Sequence, residues 1–444
     1  MPKLGLISLG CAKNLVDSEH MLARLRDAGW EITEDMTEAD VGVVNTCGFI
    51  EAAKTEAIET ILETAQNKQT GNMKGLVVTG CLVQRYADEM RAELPEIDVF
   101  CGTGSYDDIV DAANAAFKGQ QAAYMADMTS AALDGSRDRL TPSYTAYFKI
   151  AEGCSNTCAS CIIPKLRGRY RSREMASLLK EARALSDAGV KELIVIAQDI
   201  TKYGMDLPEH KRLLPELLRE LCKMDFTWIR LHYLYPDQIT DELIDVIADE
   251  PKIVKYLDIP LQHVSKRILR AMHRPGDGAE FTRLIENMRE RIPGLVLRTS
   301  LIVGLPGETE DEFAELCEFL QNVGIERVGV FEYSPEEGTE AAELPDQIDD
   351  ETKQNRRLIV EELQSGVLDD YNTSRHGEVM QVLCEGFDEE QGLWYGRTYA
   401  DSVEVDGHVY FDAADNEPAE GEFVSVLITE SLGPDLLGVR QKEA

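Results

Sequence analysis

The sequence predicts a three-part α/β protein: a doubly wound parallel α/β domain, then a β/α barrel, incomplete or full, then a small antiparallel β-barrel. Three observations lead there. The chain has 444 residues, and at about 150 residues per domain that length asks for about three. Short runs rich in Val, Ile and Leu alternate with helical patterns as far as Glu332, the texture of parallel strands buried on both faces. Beyond Arg375 the apolar runs are separated by Gly-, Asp- and Glu-rich turns, as in small β-barrels.

Taken in order, strands are expected at residues 4–9, 41–44 and 76–78, with helices over 15–28 and 50–65 between them. Strict alternation of this kind argues a parallel sheet covered by helices, here assigned to residues 1–120. Residues 119–141 are small and polar and read as a linker. Six further strands are expected at 146–151, 192–197, 228–234, 254–259, 295–303 and 327–332, with helical patterns such as 175–188 and 311–323 in the gaps. Six βα units over residues 140–371 suit a β/α barrel, whose chemistry belongs at the carboxyl ends of its strands. A polar helix ends near Tyr371, and strands at 379–384, 393–398 and 423–429 then build the last unit, residues 374–442.

Composition narrows the function. Lys and Arg number 45 against 81 Asp and Glu, a net charge of −36. A surface that acidic repels phosphate backbones unless its cations are concentrated somewhere. With 43% apolar residues there is material for proper cores. No apolar run approaches the ~20 residues that span a bilayer, and the opening residues read straight into a strand with no signal peptide. The expectation is a cytoplasmic protein with no membrane partner. Ten cysteines are too sparse for a disulfide scaffold, so thiols that cluster point to metal or redox chemistry.

Two sets cluster. Cys154, Cys158 and Cys161 form C-x3-C-x2-C in EGCSNTCASCIIP, just after the first barrel strand. Three thiolates in one tight loop suit an iron–sulfur cluster with one iron left open. Zinc normally wants a fourth ligand, and the nearest downstream Cys or His is His210. The second set emerges only through the fold. Cys11 (ISLGC), Cys47 (VVNTC) and Cys81 (VVTGC) each follow a predicted strand, so all three fall at the carboxyl edge of one parallel sheet, where ligands bind. Gly10, Gly48 and Gly80 beside them allow tight turns. Cys101 lies near another strand end and reads as a core residue or an additional ligand; Cys222, Cys317 and Cys384 read as packing residues.

The cysteine loop resembles the signature of the radical S-adenosylmethionine enzymes. With Cys11, Cys47 and Cys81 ahead of it and a small β domain behind, the chain is similar along its whole length to the radical S-adenosylmethionine methylthiotransferases. The stretches that carry the likeness are ISLGCAKNLVDSE, VVNTCGFI, KIAEGCSNTCASCIIP, RGRYRSR, YLYPDQITDELIDVIA, YLDIPLQH and RTSLIVGLPGET. YLYPDQIT and the acidic balance point to the RimO branch, which modifies an aspartate of the small-subunit ribosomal protein S-twelve. The resemblance implies a partial TIM barrel in the centre, a TRAM-like β-barrel at the end, and two 4Fe-4S clusters. Cys154, Cys158 and Cys161 would hold the cluster that binds and reductively cleaves S-adenosylmethionine. Cys11, Cys47 and Cys81 would hold the cluster that carries the sulfur to be delivered, and a second S-adenosylmethionine would supply the methyl group. An external electron donor and sulfur source are implied as well. For S-adenosylmethionine itself, Glu192 is placed to accept the methionine ammonium, Arg298 to pair with its carboxylate, Gln262 to hydrogen-bond it, and Ile302 and Gly304 to contact the adenine. No acid–base residue is assigned, because an unactivated C–H bond offers no acidic proton.

A sister branch methylthiolates adenosine in transfer RNA with the same cluster chemistry, so charge must separate the two. From Arg375 onward four Lys and Arg (Arg375, Arg397, Arg440, Lys442) face sixteen Asp and Glu, a local net of −12. An acidic recognition domain suits a basic ribosomal protein and disfavours tRNA. The stretch RGRYRSR at 167–173 is locally basic, and could touch RNA, line a substrate pocket or cap the next helix. Outside methylthiotransferase chemistry, the cysteines are also compatible with a non-catalytic iron–sulfur carrier or, more weakly, a zinc-binding adaptor.

Overall fold

The computed structural model describes residues 1–413 and 416–441. The first unit is a sheet of six parallel strands, β1 (Lys3–Ser8), β2 (Glu31–Thr33), β3 (Val41–Thr46), β4 (Gly75–Gly80), β5 (Val99–Cys101) and β6 (Ala122–Tyr124), in the order β2-β1-β3-β4-β5-β6. Strand direction from β1 proceeds to β2 on one side and β3 on the other, which opens a crevice at their carboxyl ends. Alternate residues divide the core between two faces. Val43, Val77 and Val99 pack against the helix Ile109–Phe117, whereas Val44, Val78 and Phe100 pack against the helix Glu51–Ala65.

The second sheet is also wholly parallel. Its strands β7 (Thr145–Lys149), β10 (Glu192–Ile196), β11 (Trp228–Leu231), β12 (Ile253–Asp258), β13 (Val296–Val303) and β14 (Arg327–Glu332) run in the order β14-β13-β12-β11-β10-β7. β7 and β14 do not pair, so the barrel is incomplete. A small ribbon of β8 (Ala151–Glu152) and β9 (Arg171–Ser172) flanks the cysteine loop. Phe148, Leu193 and Val195 join the large core shared with the outer helices. Their neighbours Tyr147, Ile194 and Ile196 point the other way, because side chains alternate along a strand. There they meet Ala12, Leu15 and Val16 of the helix Ala12–Asp27. The first unit therefore covers the inner face of the second.

The last unit is a closed barrel in the order β15-β16-β17-β19-β18, from β15 (Val379–Asp388), β16 (Leu393–Arg397), β17 (Val409–Asp412), β18 (Phe423–Leu432) and β19 (Asp435–Arg440). Tyr399 and Ala400 pack with Trp228, Val254, Tyr256 and Val296, residues at or near the amino-terminal ends of their strands. The small barrel thus plugs the end of the β/α barrel opposite its cysteine loop.

Several elements depart from the sequence reading. The stretch 119–141 is not a free linker: it supplies edge strand β6, and its later part is tied down by Arg171, which donates to the carbonyls of Met128, Thr129 and Ala131. Strands β2, β17 and β19 were not anticipated; β2 and β17 have too few residues for a periodic signal, while the strand end expected beside Cys101 is that of β5. Among the described residues no helix is long and apolar enough to cross a membrane.

Candidate active site

The strand register explains why three distant cysteines meet. Ser8 pairs with Asn45 and Thr46 with Gly80, so β1, β3 and β4 end level and the residues that follow them share one edge. A Cβ on Gly10 would stand 2.7 Å from the Cys47 Cβ, and one on Gly48 would stand 2.8 Å from the Leu82 Cα and 3.1 Å from the Cys81 carbonyl carbon. The three turns are therefore in van der Waals contact, with glycine required at each approach. Cys11 is exposed, Cys47 half-buried and Cys81 buried. Burial pushes the Cys81 thiol up to about 12, against the pull of the Arg167 guanidinium. Gly10 also has φ +86°, so Gly10→Ala carries both a clash and a backbone penalty. We expect that variant to fold yet to retain roughly half the iron of the parent after anaerobic reconstitution, measured as iron and sulfide per chain.

The second trio surrounds a cavity of about 590 Å3, lined by Cys154, Cys158 and Cys161 together with Asn156, Arg169 and Thr339. The Cys154 N–H donates to the Gly168 carbonyl at 3.1 Å and the Ala159 N–H to that of Met272 at 3.1 Å, so the loop is held by backbone at both ends. Arg274 points Nη1 at Cys158 Sγ, 3.6 Å away, and donates to the Tyr235 hydroxyl at 3.0 Å and the Pro260 carbonyl at 2.7 Å. Asn156 donates to Asp199 at 3.3 Å and accepts from Lys202. Burial pushes the Cys161 thiol up to about 12, an environment in which thiolates need a cationic partner. Among the described residues no three His, Cys, Asp or Glu side chains gather tightly enough for one ion. Three sulfur donors around a roomy cavity fit a polynuclear cluster, and the zinc reading gains no fourth ligand.

The two trios adjoin. Cys81 packs against Ile162 and Leu166, the first of which follows Cys161 directly. Arg167, buried, donates Nε–H to Cys81 Sγ at 3.3 Å and Nη2–H to Asn14 at 3.0 Å, and is ion-paired to Asp17 and Glu152. Lys149 completes that buried network through the same two carboxylates. The RGRYRSR stretch is thus largely inside. Arg173 pairs with Asp134 and Glu181, Arg171 holds the 128–131 backbone, and only Arg169 is exposed. Sequence reasoning singled out neither Arg167 as the partner of Cys81 nor Arg274 and Tyr235 as partners of Cys158. Arg167 and Tyr235 stood inside conspicuous motifs, RGRYRSR and YLYPDQIT; Arg274 stood in none.

The expected S-adenosylmethionine contacts divide. Gln262 and Ile302 come together: the Ile302 N–H donates to the Gln262 carbonyl at 2.7 Å, and the Gln262 N–H to that of Ser300 at 2.9 Å. Gln262 adopts φ +71°, a strained conformation for a residue other than glycine, of the kind found at functional sites. Ile302 packs with Ala159 of the cysteine loop. Arg298 lies deeper, its Nη1 donating to Asp258 at 3.1 Å. At Gly304 a Cβ would stand 2.3 Å from the Lys353 Cγ, so the glycine there accommodates a helix. Glu192 must be corrected. It is the first residue of β10 and registers with Thr145 at the start of β7, a full strand length from the cysteine loop. Wholly buried, it is ion-paired to Arg230 at 2.9 Å and Arg397 at 2.6 Å, and it fastens the small barrel in place. Cys101 is a core residue whose thiol donates to the Ser105 carbonyl at 3.1 Å.

Comparison with known proteins agrees in all three parts. Residues 3–102 match the uncharacterized protein family UPF0004, residues 148–320 the radical SAM superfamily and residues 377–440 the TRAM domain. The ribosomal protein uS12 methylthiotransferase RimO of Lachnoclostridium phytofermentans is 48% identical over 441 residues, 99% of this chain and 100% of that one. Its counterpart in Clostridioides difficile is 48% identical over 99% of this chain and 98% of its own. The chain belongs to the RimO family of radical S-adenosylmethionine methylthiotransferases. Among solved structures, the radical S-adenosylmethionine methyltransferase TsrM from Kitasatospora setae, with cobalamin and a 4Fe-4S cluster bound, superposes with a TM-score of 0.58 over 77% of each chain at 16% identity, a likeness of fold. RimO family membership also sets aside the carrier and adaptor readings, since it makes the chain an enzyme.

Proposed function

We propose that this chain replaces a β-hydrogen of an aspartate in ribosomal protein uS12 with a methylthio group. The supporting observation is the meeting of two cysteine trios from two different sheets, through the contact of Cys81 with Ile162 and Leu166. When bound, two 4Fe-4S clusters and S-adenosylmethionine supply the radical, the sulfur and the methyl group.

The chain's own residues hold and enclose. Cys154, Cys158 and Cys161 would grip one cluster and leave a corner open toward Gln262 and Ile302, where S-adenosylmethionine would lie. Cys11, Cys47 and Cys81 would grip the other. Arg274 and Arg167 direct N–H groups at the Cys158 and Cys81 sulfurs and the Tyr235 hydroxyl lies 3.6 Å from Cys158 Sγ, and such hydrogen bonds tune a cluster's potential. Ile302 joins Ala159, Ile268, Met272, Leu305 and Tyr333 in an apolar wall beside the loop, which excludes water from a reactive site.

The small barrel favours a basic protein over RNA. Arg397 is buried against Glu192 and Glu385, Arg440 pairs with Glu422 and Arg375 with Glu378; Lys442 lies outside the described residues. The acids outnumber these cations, and the net negative charge that is left suits a cationic ribosomal protein. The reaction would take place in the cytoplasm, with an external electron donor and sulfur source. Anaerobic enzyme given S-adenosylmethionine and reductant should add the mass of one methylthio group to uS12 and leave tRNA unmodified. Modification of tRNA alone would transfer the chain's substrate to the sister chemistry.

A further inference from the structure

Three lysines are buried among the described residues: Lys13, Lys149 and Lys353. Lys149 is paired with Asp17 and Glu152, and Lys353 with Asp350. Lys13, 7% exposed, makes no such ion pair. Its ammonium instead lies 3.4 Å from the ring centre of Tyr233, a cation–π contact in which the cation keeps its charge. The Cys11 sulfur and Asp258 stand near enough to favour its charge, yet neither bonds it, and burying an ammonium with no carboxylate in contact is costly, so its retention needs a reason.

The surroundings suggest one. Tyr233 has φ +65°, a left-handed backbone held by its N–H donating to Asp258 Oδ2 at 3.3 Å and its carbonyl accepting from the Ile200 N–H at 3.2 Å. The other Asp258 oxygen accepts from Arg298 at 3.1 Å. One carboxylate therefore serves a neighbourhood with two cations. Lys13 enters it from the first unit, two residues beyond Cys11, on the helix whose Ala12, Leu15 and Val16 cover the inner face of the barrel sheet. The surplus positive charge is thus placed between the N-terminal trio and the barrel's inner face.

We propose that Lys13, with Arg298 as the neighbouring cation, receives the side-chain carboxylate of the target aspartate and so selects an acidic residue for modification. This rests on the methylthiotransferase reading above. A carboxylate is attached to the carbon that must be presented, and a nucleobase would bring no negative group to the same place. The charge also discriminates against an amide of the same shape, which cannot neutralise the ammonium.

The test uses reconstituted full-length enzyme with uS12 and with uS12 bearing Asn at the target position. Lys13→Met keeps the length of the side chain and removes the charge; Lys13→Arg restores it. Lys13→Met should lower kcat/KM for uS12 roughly ten- to a hundred-fold, mainly through KM, as for loss of a charge-assisted hydrogen bond. Competition between the two forms of uS12 for binding should favour Asp in the parent and in Lys13→Arg, and neither in Lys13→Met. Iron content and melting temperature are measured on every variant. A Lys13→Met enzyme with parental KM and undiminished preference for Asp would overturn the proposal, as would one that loses iron or melts markedly lower, since Lys13 would then serve the fold. A parent enzyme that modifies no uS12 would overturn the substrate reading itself, and this assignment with it.

Discussion

Replacing Cys154, Cys158 and Cys161 with Ala is expected to abolish reductive cleavage of S-adenosylmethionine, whereas replacing Cys11, Cys47 and Cys81 should leave that cleavage largely intact and stop sulfur insertion. The asymmetry follows from the architecture. The loop trio is carried by the second sheet, beside Gln262 and Ile302, and its cavity is built from that unit's own loops. The other trio ends strands of a sheet with separate cores. Loss of the Cys81 sulfur would still leave Arg167 bonded to Asn14, Asp17 and Glu152, so no buried charge is stranded and the loop that starts at Cys154 keeps its support. Release of 5′-deoxyadenosine after reduction measures the first activity, and the mass of modified uS12 the second. A first variant that still cleaves at the parental rate, or a second that still transfers sulfur, would contradict the division of labour.

The second large effect concerns stability. Glu192→Ala should destabilise the protein by about 3–5 kcal/mol, because it leaves the buried Arg230 guanidinium with no carboxylate, beside an Arg397 that keeps only Glu385. Arg230 and Arg397 are both essentially inaccessible, and their remaining hydrogen-bond partners are the carbonyls of Thr398, Tyr399 and Asp401 and the carboxylate of Glu385. Urea unfolding followed by tryptophan emission is a suitable measurement, since Trp228 contacts Phe423 of the small barrel at 4.7 Å. The same pair of cations holds the Glu192 carboxyl down near 2, from an ordinary value of 4.5. A depressed carboxyl stabilises the folded state fully above its unfolded value and loses that contribution as pH falls from about 4.5 through about 2. Glu192→Gln should therefore be less stable than the parent at neutral pH and lose less stability on acidification across that interval. Equal acid sensitivity in the two proteins would show that the ion triad carries no such load.

Legibility in the sequence varied with the range of the cause. C-x3-C-x2-C is a local pattern, and its meaning survived folding because one loop carries all three thiols. Cys11, Cys47 and Cys81 were legible only through the rule that parallel strands end at one edge, and the register of Ser8 with Asn45 and Thr46 with Gly80 supplies that alignment. Glu192 was misread against the strand rule itself: a strand beginning at residue 192 puts that side chain at the amino-terminal end, away from the carboxyl ends where barrel chemistry lies. RGRYRSR read only as a locally basic stretch open to RNA contact, pocket lining or helix capping, because its key partner Asp17 is 150 positions away in sequence from Arg167. Strand β6 escaped because three residues at a sheet edge leave no periodic trace.

The sequence by itself determined the parallel character of two sheets, the small terminal barrel, the acidic balance and a loop of clustered thiols, since these follow from spacing, periodicity and composition over short stretches; the type of chemistry came from the family resemblance its motifs carry. Only the tertiary structure decided that Cys81 lies against the radical loop, that Arg167 joins the two sites, that Lys13 lies over the Tyr233 ring with no carboxylate bonded to it and that Glu192 binds Arg397 across 205 positions of chain. Electrostatic partners are chosen by proximity after packing, where a low dielectric makes each pairing matter. No local pattern of residues encodes that choice.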